Sequence, residues 1–505
     1  MATTRCKMKK IVIIGSGLGG LSCGLILSRN GYDVTVLEQG AQVGGCLQCF
    51  HRHGVKFETG MHFIGSADEG QVLGRLLRYL DVTGHVRLSR LDTSGYDVVS
   101  LQGQQFRFAN GREQFVETLA SDFPRQRDNL NRYFRLVEEV VSASSLHSLR
   151  VADSDTSPLN TEYQLRSIND VLSEVVSDPL LRDVLVGNLP LYAAERGKTP
   201  FSTHAFITDF YNQSAFRVVG GSDLIAASLV RSIEQNGGRV LCRKQAVRIE
   251  CDEQRAVGVE TADETYYPAD IVIAGIHPAR LIDICPSPLL RPIYRRRVAS
   301  LPETVGGFSV YLRFKPQTVP YMNYNFYGYH QPSPWDCEQY TAYDWPKGYL
   351  YMHFCSNDRQ QWAEGGVILS YMHWAEVAKW QGTSVGCRGD DYQQLKRERA
   401  ERLIDAVCQE FPTLRDGIAG YDTSTPLTYQ DYTGTERGSM YGIAKDINLG
   451  PVARVHHRTK IPNLLLTGQN INSHGILGVL VGTVVTCSEL LTSEHIFNEI
   501  IKANQ

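Results

Sequence analysis

The chain carries almost no net charge: 51 Lys and Arg stand against 54 Asp and Glu, a formal −3 over 505 residues. Such a balance gives no field to gather nucleic acid, and no nucleic-acid partner is expected. No run of eighteen apolar residues occurs, which argues against a membrane-spanning helix. The start "MATTRCKMKK" runs straight into "IVIIGSGLGG" without an apolar h-region, which argues against a secretory signal. Twelve scattered cysteines are too thin for a disulfide scaffold and suit a reducing compartment. The expected location is the cytoplasm. Neither a fixed-period repeat nor a low-complexity tract stands out. What remains is an ordinary globular composition, 42% hydrophobic and 21% charged, with a sizeable core.

The opening reads strand–turn–helix–strand. "KIVIIG" is a short β-branched run, "GLGGLSCGLILSRNG" a helix ending at Gly31, and "YDVTVLE" a second strand. Between the first strand and the helix, Gly15, Gly17 and Gly20 spell G-x-G-x-x-G. The first glycine permits a tight turn, the second lets backbone approach a pyrophosphate, and the third lets helix and strand pack closely. Glu38 ends the second strand, where an acid accepts bonds from ribose hydroxyls. With strand, helix, second strand and acid all in place, the pattern predicts an ADP-bearing dinucleotide. It does not choose between NAD and FAD.

Texture farther along predicts two interleaved domains. Residues 113–200 are helical in pattern, 306–374 strand-rich, and 391–410 a charged amphipathic helix. Nucleotide-fold texture returns in "SDLIAASLVRSIEQNGGRVLC", in "YYPADIVIAGIHP" and in the C-terminal "NLLLTGQNINSHGILGVLVG". The last stretch predicts a helix starting near Gly475, whose N-terminus favours negative charge on a cofactor ring. Just beyond the ribose acid comes "GGCLQCF" (44–50), which is open to three readings. It is a tight turn beside the cofactor, a redox dithiol using nearby His51, Arg52 and His53, or half a metal site. A zinc site wants a second C-x-x-C or paired His at a useful spacing, and none occurs.

Together "GGC" (44–46), "ETGMHFIG" (58–65) and "LTGQN" (466–470) resemble the flavin amine oxidase and phytoene desaturase superfamily, most closely its retinol saturase and carotenoid isomerase branch. The sequence departs from the branch in having Asn470 where an acid is common and "AGIHP" where "N-A-x-P" is usual. The resemblance implies an α/β fold: a Rossmann-type FAD-binding domain (1–75, 206–300 and 446–505) interleaved with a mixed-sheet plus helical substrate domain (76–205 and 301–445). It implies FAD held by Gly15, Gly17, Gly20, Glu38, Gly44, Gly45, Cys46, Met61, Val247, Gly468 and Gln469, with NADH or NADPH as a candidate electron donor. Val247 enters as a backbone contact to adenine after the "GGRV" strand. The endoplasmic reticulum location of animal members is not carried over. No metal site is expected.

The implied reaction is saturation of a carbon–carbon double bond in a retinoid- or carotenoid-like lipid. A polyene desaturase or cis–trans isomerase on the same scaffold is the alternative, and a non-catalytic lipid or prenyl carrier is the second. The intact glycine fingerprint, Glu38 and "TGQ" argue against the carrier. Saturation needs a proton as well as a hydride. His62, His474, Tyr432 and Tyr441 are the candidates, each with a structural role as its competitor. Residues 321–351 hold eight of the 25 tyrosines, which predicts either tunnel walls or aromatic sheet packing. "YRRRV" (294–298) is a candidate peripheral membrane contact, or a solvated face. Subunit number is not legible.

Overall fold

The computed structural model describes residues 8–145, 149, 158–357, 360–450 and 454–505. The β-branched run forms strand β1 (Lys10–Ile14), followed by helix α1 (Leu18–Arg29) and strand β2 (Asp33–Leu37), which pairs parallel to β1 with Ile11 opposite Val34. The helix ends as its sequence predicts. Asn30 caps it, Gly31 turns left-handed at φ 81°, and the amides of Gly31 and Tyr32 donate back to the carbonyls of Ser28 and Leu27.

β1 and β2 belong to a five-stranded parallel sheet in the order Arg239–Leu241, β2, β1, Ile271–Ala274, Leu464–Leu466. The chain moves outward from β1 to one side and later returns on the other. The strand order therefore reverses between β1 and Ile271–Ala274. A crevice opens beyond the carboxyl ends of strands at such a point. A three-stranded antiparallel meander (Ala246–Cys251, Ala256–Thr261, Tyr266–Pro268) is inserted before the fourth strand. Asn463 fastens that insertion: its Nδ2 donates to the carbonyls of Ala256 and Asp270, and its Oδ1 accepts from the Ala256 amide.

A second, seven-stranded sheet runs Ile418–Ser424, Gly306–Phe314, Gly365–Met372, Gly348–His353, Asn325–Tyr329, Asp97–Leu101, Gln104–Phe108. Its pairings are antiparallel except that of Asn325–Tyr329 with Asp97–Leu101. Strand residues alternate between its two faces. Phe326, Tyr349, Tyr351 and Ile368 pack with the helix Asp390–Glu410 on one face, while Val99, Tyr327, Leu350 and Val367 turn to a helical layer on the other. Both faces are covered, so central strands such as Gly348–His353 are buried throughout. The tyrosine-rich stretch 321–351 is thus largely sheet packing.

The helical layer comprises Arg112–Asp122, Arg127–Ser142, Pro158–Leu165, Ile168–Val175, Pro179–Leu185 and Phe201–Gln213. The first two were one continuous helical pattern in the sequence. They are separate because Pro124 enters a short 3-10 turn, where its missing amide costs no helical bond. His204, wholly buried in this layer, lies 2.8 Å through Nε2 from the Tyr133 hydroxyl and 2.8 Å through Nδ1 from the Tyr192 hydroxyl. A neutral imidazole offers one donor and one acceptor, which matches two hydroxyls.

Burial lowers the His204 pKa to about 3 and, similarly, that of His353 to about 3. The unfolded chain takes up these protons near pH 6.5, while the folded chain resists them until near pH 3. Their contribution to stability is complete above pH 6.5 and is lost as pH falls toward 3. Urea midpoints should therefore drop between pH 7 and pH 5, and His204→Gln should flatten that slope. A midpoint that does not change over this interval would contradict the assignment of a neutral His204.

Candidate functional site

A cavity of about 640 Å³ opens at the reversal of strand order, between the Gly-rich turn after β1 and the turn after Ile271–Ala274. At one end it is a backbone cradle. Gly15 takes φ 95°, and a Cβ there would meet the Gly275 carbonyl at 3.1 Å. Gly20 lies beneath the turn and off the wall; a Cβ on it would sit 2.0 Å from the Gly15 carbonyl. Gly17 has open space where a side chain would be, and it caps α1 without any side-chain bond to the first amides. The α1 first turn holds no acidic residue. Its free amides and positive dipole end suit a phosphate.

Glu38 borders the same cavity, only 9% exposed. Its Oε2 accepts from the Ser16 amide at 3.1 Å and the Ser16 hydroxyl at 2.5 Å, and its Oε1 accepts from the Gly40 amide at 2.7 Å. The carboxylate is thereby oriented and retains lone pairs for a ribose hydroxyl. The C-terminal segment closes the cradle from the other side. Gly468 and Gln469 are on the wall, and a Cβ at Gly19 would meet the Gly468 Cα at 3.1 Å. There the helix Gly475–Leu491 begins, again with no side-chain cap and no acid in its first turn. The residues present fit an extended dinucleotide: two helix N-termini without side-chain caps, an oriented carboxylate and glycines where a side chain would intrude.

Gly44, Gly45, Cys46 and Met61 also line the cavity. Gly44 reaches φ 113° and leads the short 3-10 turn Gly45–Leu47, so the glycine pair serves a tight turn beside the cavity. Burial raises the Cys46 thiol to about 11. Burial, with the nearby Glu58 charge, raises Cys49 to about 12. His51, Arg52 and His53 sit on an exposed hairpin, where they lower neither thiol. These are not the conditions for a reactive dithiol. Among the described residues, no cluster of three or more His, Cys, Asp or Glu could hold a metal. Val247 is 41% exposed and off the wall; its neighbours Lys244, Gln245 and Ala246 line it instead.

The sequence departures have local explanations. Asn470 Oδ1 accepts from the Ile443 amide at 2.8 Å, joining the C-terminal strand to the loop before it. His277 of "AGIHP" caps the helix Pro278–Ile284, its Nδ1 accepting from the Ala279 amide at 3.2 Å. Its Nε2 lies 2.9 Å from Glu303 Oε1. Neither Ser16 nor His277 was singled out from the sequence. Ser16 is a variable position inside the glycine pattern, and the partner of His277 is distant in the chain.

The other end of the cavity is walled by Phe63, Leu350, Met352, Leu369, Tyr429 and Tyr441. His62 is on this wall, its Nδ1 3.6 Å from Glu58 Oε2. The Tyr441 hydroxyl donates to the Pro190 carbonyl at 2.8 Å, and burial raises its pKa. His474 packs on Tyr441 with ring centroids 4.8 Å apart, off the wall. Burial, helped by the Lys445 charge, lowers the His474 pKa to about 3. Tyr432 borders the opening and is 54% exposed. Of the arginines at 295–297, Arg295 turns inward to the carbonyls of Ile282, Cys285, Ser287 and Leu290. No helix among the described residues is long and apolar enough to cross a membrane.

Glu38→Ala removes the acceptor for a ribose and frees Ser16. The variant should purify with a reduced flavin content at unchanged yield, measured by the ratio of visible to ultraviolet absorbance. Full flavin retention would show that the ribose lies elsewhere.

The profile of the flavin containing amine oxidoreductases matches residues 18–421. An all-trans-retinol 13,14-reductase of Rattus norvegicus is 28% identical, over 97% of this chain and 86% of its own length. A phytoene desaturase (lycopene-forming) of Paracoccus is 25% identical, over 96% of this chain and 98% of its own. A solved putrescine oxidase, 14% identical, superposes over 98% of this chain and 99% of its own with a TM-score of 0.63. The match runs from the first helix of the cradle through the seven-stranded sheet. The chain belongs to the flavin-containing amine oxidoreductase family and is an FAD-dependent oxidoreductase.

Proposed function

We propose that the protein saturates a carbon–carbon double bond of a retinoid- or carotenoid-like lipid. The observation that carries this reading is the continuity of the cavity, from a dinucleotide cradle to a wall built of Phe63, Leu350, Met352 and Leu369. An apolar wall beside the cofactor suits a hydrocarbon chain. Similarity to a retinol reductase over nearly the whole chain supports the same class. Similarity to a phytoene desaturase keeps the oxidative direction as the second reading. The cofactor residues named above are proposed in the places described, with Ala246 in place of Val247 as the adenine-side contact. The discontinuous division into cofactor and substrate domains is proposed on the separation of the two large sheets.

FAD, when bound, supplies the two-electron hydride chemistry. The chain orients the substrate and excludes water. His62, on the wall with its Nδ1 3.6 Å from Glu58 Oε2 and without a hydrogen bond there, is proposed to border the reacting bond. Tyr441 and His474 pack the wall and Tyr432 guards the opening. Ile293, 71% exposed, and the exposed Arg296 would make any peripheral membrane contact.

Protein reduced under anaerobic conditions by NADPH, NADH or dithionite should be reoxidised by all-trans-retinol or a carotene. The product should be heavier by two hydrogens. Reduction of the oxidised protein by phytoene would instead support the desaturase, and a product of unchanged mass the isomerase. A colourless protein that takes up no FAD yet retains polyene would support the carrier.

A further inference from the structure

Beside the main cavity, against the same sheet, lies a second and much smaller hollow. Tyr329, Gly348, Ser370 and Tyr371 line it, and Pro190 and Leu369 belong to the walls of both spaces. Its volume is about 10 Å³, near the least that a water-sized group needs. That is room for one oxygen and its hydrogen, and too little for a ring.

Sheet register sets the two spaces in line. Between the strands Gly348–His353 and Gly365–Met372, Met352 pairs with Val367 and Leu350 with Leu369. Continuing this antiparallel register by two residues brings Gly348 opposite Tyr371. Residues two apart share a face and stand about 7 Å apart along a strand. Met352, Leu350 and Leu369 wall the main cavity, and the next row walls the small one. A Cβ at Gly348 would press on the Tyr329 ring at 2.7 Å, so no larger residue fits beside Tyr371 without displacing it.

The polar side chains on the small hollow are engaged, with one exception among the described residues. The hydroxyls of Tyr329, Ser370 and Tyr349 donate to the carbonyls of Gly187 at 2.6 Å, Gly348 at 2.7 Å and Ala406 at 3.5 Å. Cys337 Sγ accepts from Gln331 Nε2 at 3.3 Å. Tyr371 is 7% exposed, and its hydroxyl is buried without a hydrogen-bond partner. A hydroxyl left so is costly until a partner arrives. The residue itself is held firmly: its strand is paired on both sides, and its carbonyl accepts from Trp345 Nε1 at 2.7 Å. Tyr371 packs in one cluster with Met440 and Tyr441, which are on the wall of the main cavity. It therefore stands in the layer that divides the two spaces.

We propose that the small hollow receives the oxygen-bearing end of the polyene, with the Tyr371 hydroxyl as its hydrogen-bond partner. The apolar remainder of the chain lies over Leu350 and Met352. Leu369, whose side chain has alternative staggered rotamers, turns aside to join the two spaces. Among the described residues no basic side chain lines the hollow, so a carboxylate there would be buried without compensation. The end it takes is an alcohol or an aldehyde, and a retinoid-like alcohol is favoured over a hydrocarbon carotene. Tyr371 is a positioning residue: it touches no reacting atom and sets how far the chain slides along the sheet.

The inference deepens the saturase reading, and its test is separable from that of the reading. Oxidised holoenzyme, in which no saturation proceeds, is titrated with all-trans-retinol, with its deoxy hydrocarbon analogue and with retinoate, and polyene fluorescence reports binding. Wild type should bind retinol roughly tenfold more tightly than the hydrocarbon, as one buried hydrogen bond allows, and retinoate most weakly. Tyr371→Phe, which removes only the hydroxyl, should bring retinol to the affinity of the hydrocarbon while hydrocarbon binding and flavin content stay as in wild type. Cys337→Leu, which fills the hollow and keeps the hydroxyl, should weaken retinol in the same way. With reduced holoenzyme, Tyr371→Phe should raise the half-saturating retinol concentration about tenfold and leave the limiting rate of reoxidation unchanged. Equal retinol affinity in wild type and Tyr371→Phe, or a wild type that prefers retinoate, would overturn the oxygen subsite and leave the saturase reading standing. A wild type that binds the three ligands in the expected order, yet whose reduced flavin no polyene reoxidises, would overturn the saturase reading and leave the subsite standing. A wild type that binds none of them would overturn both.

Discussion

The architecture depends on the meeting of two distant chain segments at one cradle. The turn after β1 and the turn after Leu464–Leu466 approach so closely that a Cβ at Gly19 would press on the Gly468 backbone. Two helices start from that contact with their first amides uncapped. Bringing two positive dipole ends together is unfavourable unless an anion or an electron-rich ring lies between them. The cradle is thus organised around its cofactor, and the packing around it serves to keep these two ends in place.

The second sheet gives the cavity its other character. It is covered on both faces, and the side toward the cradle presents Leu350, Met352 and Leu369 to the space where substrate must lie. FAD bound in the cradle would supply hydride chemistry beside that wall, whose side chains keep water away. Behind that wall the same face carries Asp97, Asn325 and Tyr327. Asp97 and Asn325 are bonded to each other, and Asn325 to Arg217, while the Tyr327 hydroxyl is left without a hydrogen bond among the described residues.

Local motifs were legible because their physics is local. The βαβ opening, the glycine spacing, Glu38, the Gly44–Gly45 turn and the helix at Gly475 each depend on residues a few positions apart. The "GGCLQCF" question needed more. Whether two thiols are reactive depends on burial and on neighbouring charge, and the three cations that looked near in sequence are on an exposed hairpin. Val247 lies off the wall while its neighbours Lys244, Gln245 and Ala246 line it: the sequence brings this segment toward the cavity without showing which residue borders it.

From the sequence alone came the kind of cofactor, the family and the alternation of the two textures, since these reside in short runs whose backbone requirements few residue types meet. Only the tertiary structure decided what stands around the substrate. Leu350, Leu369 and Tyr211 lie on three separate segments with no common motif. They meet because a sheet register and a helix packing against it bring them together, and no spacing along the chain records that.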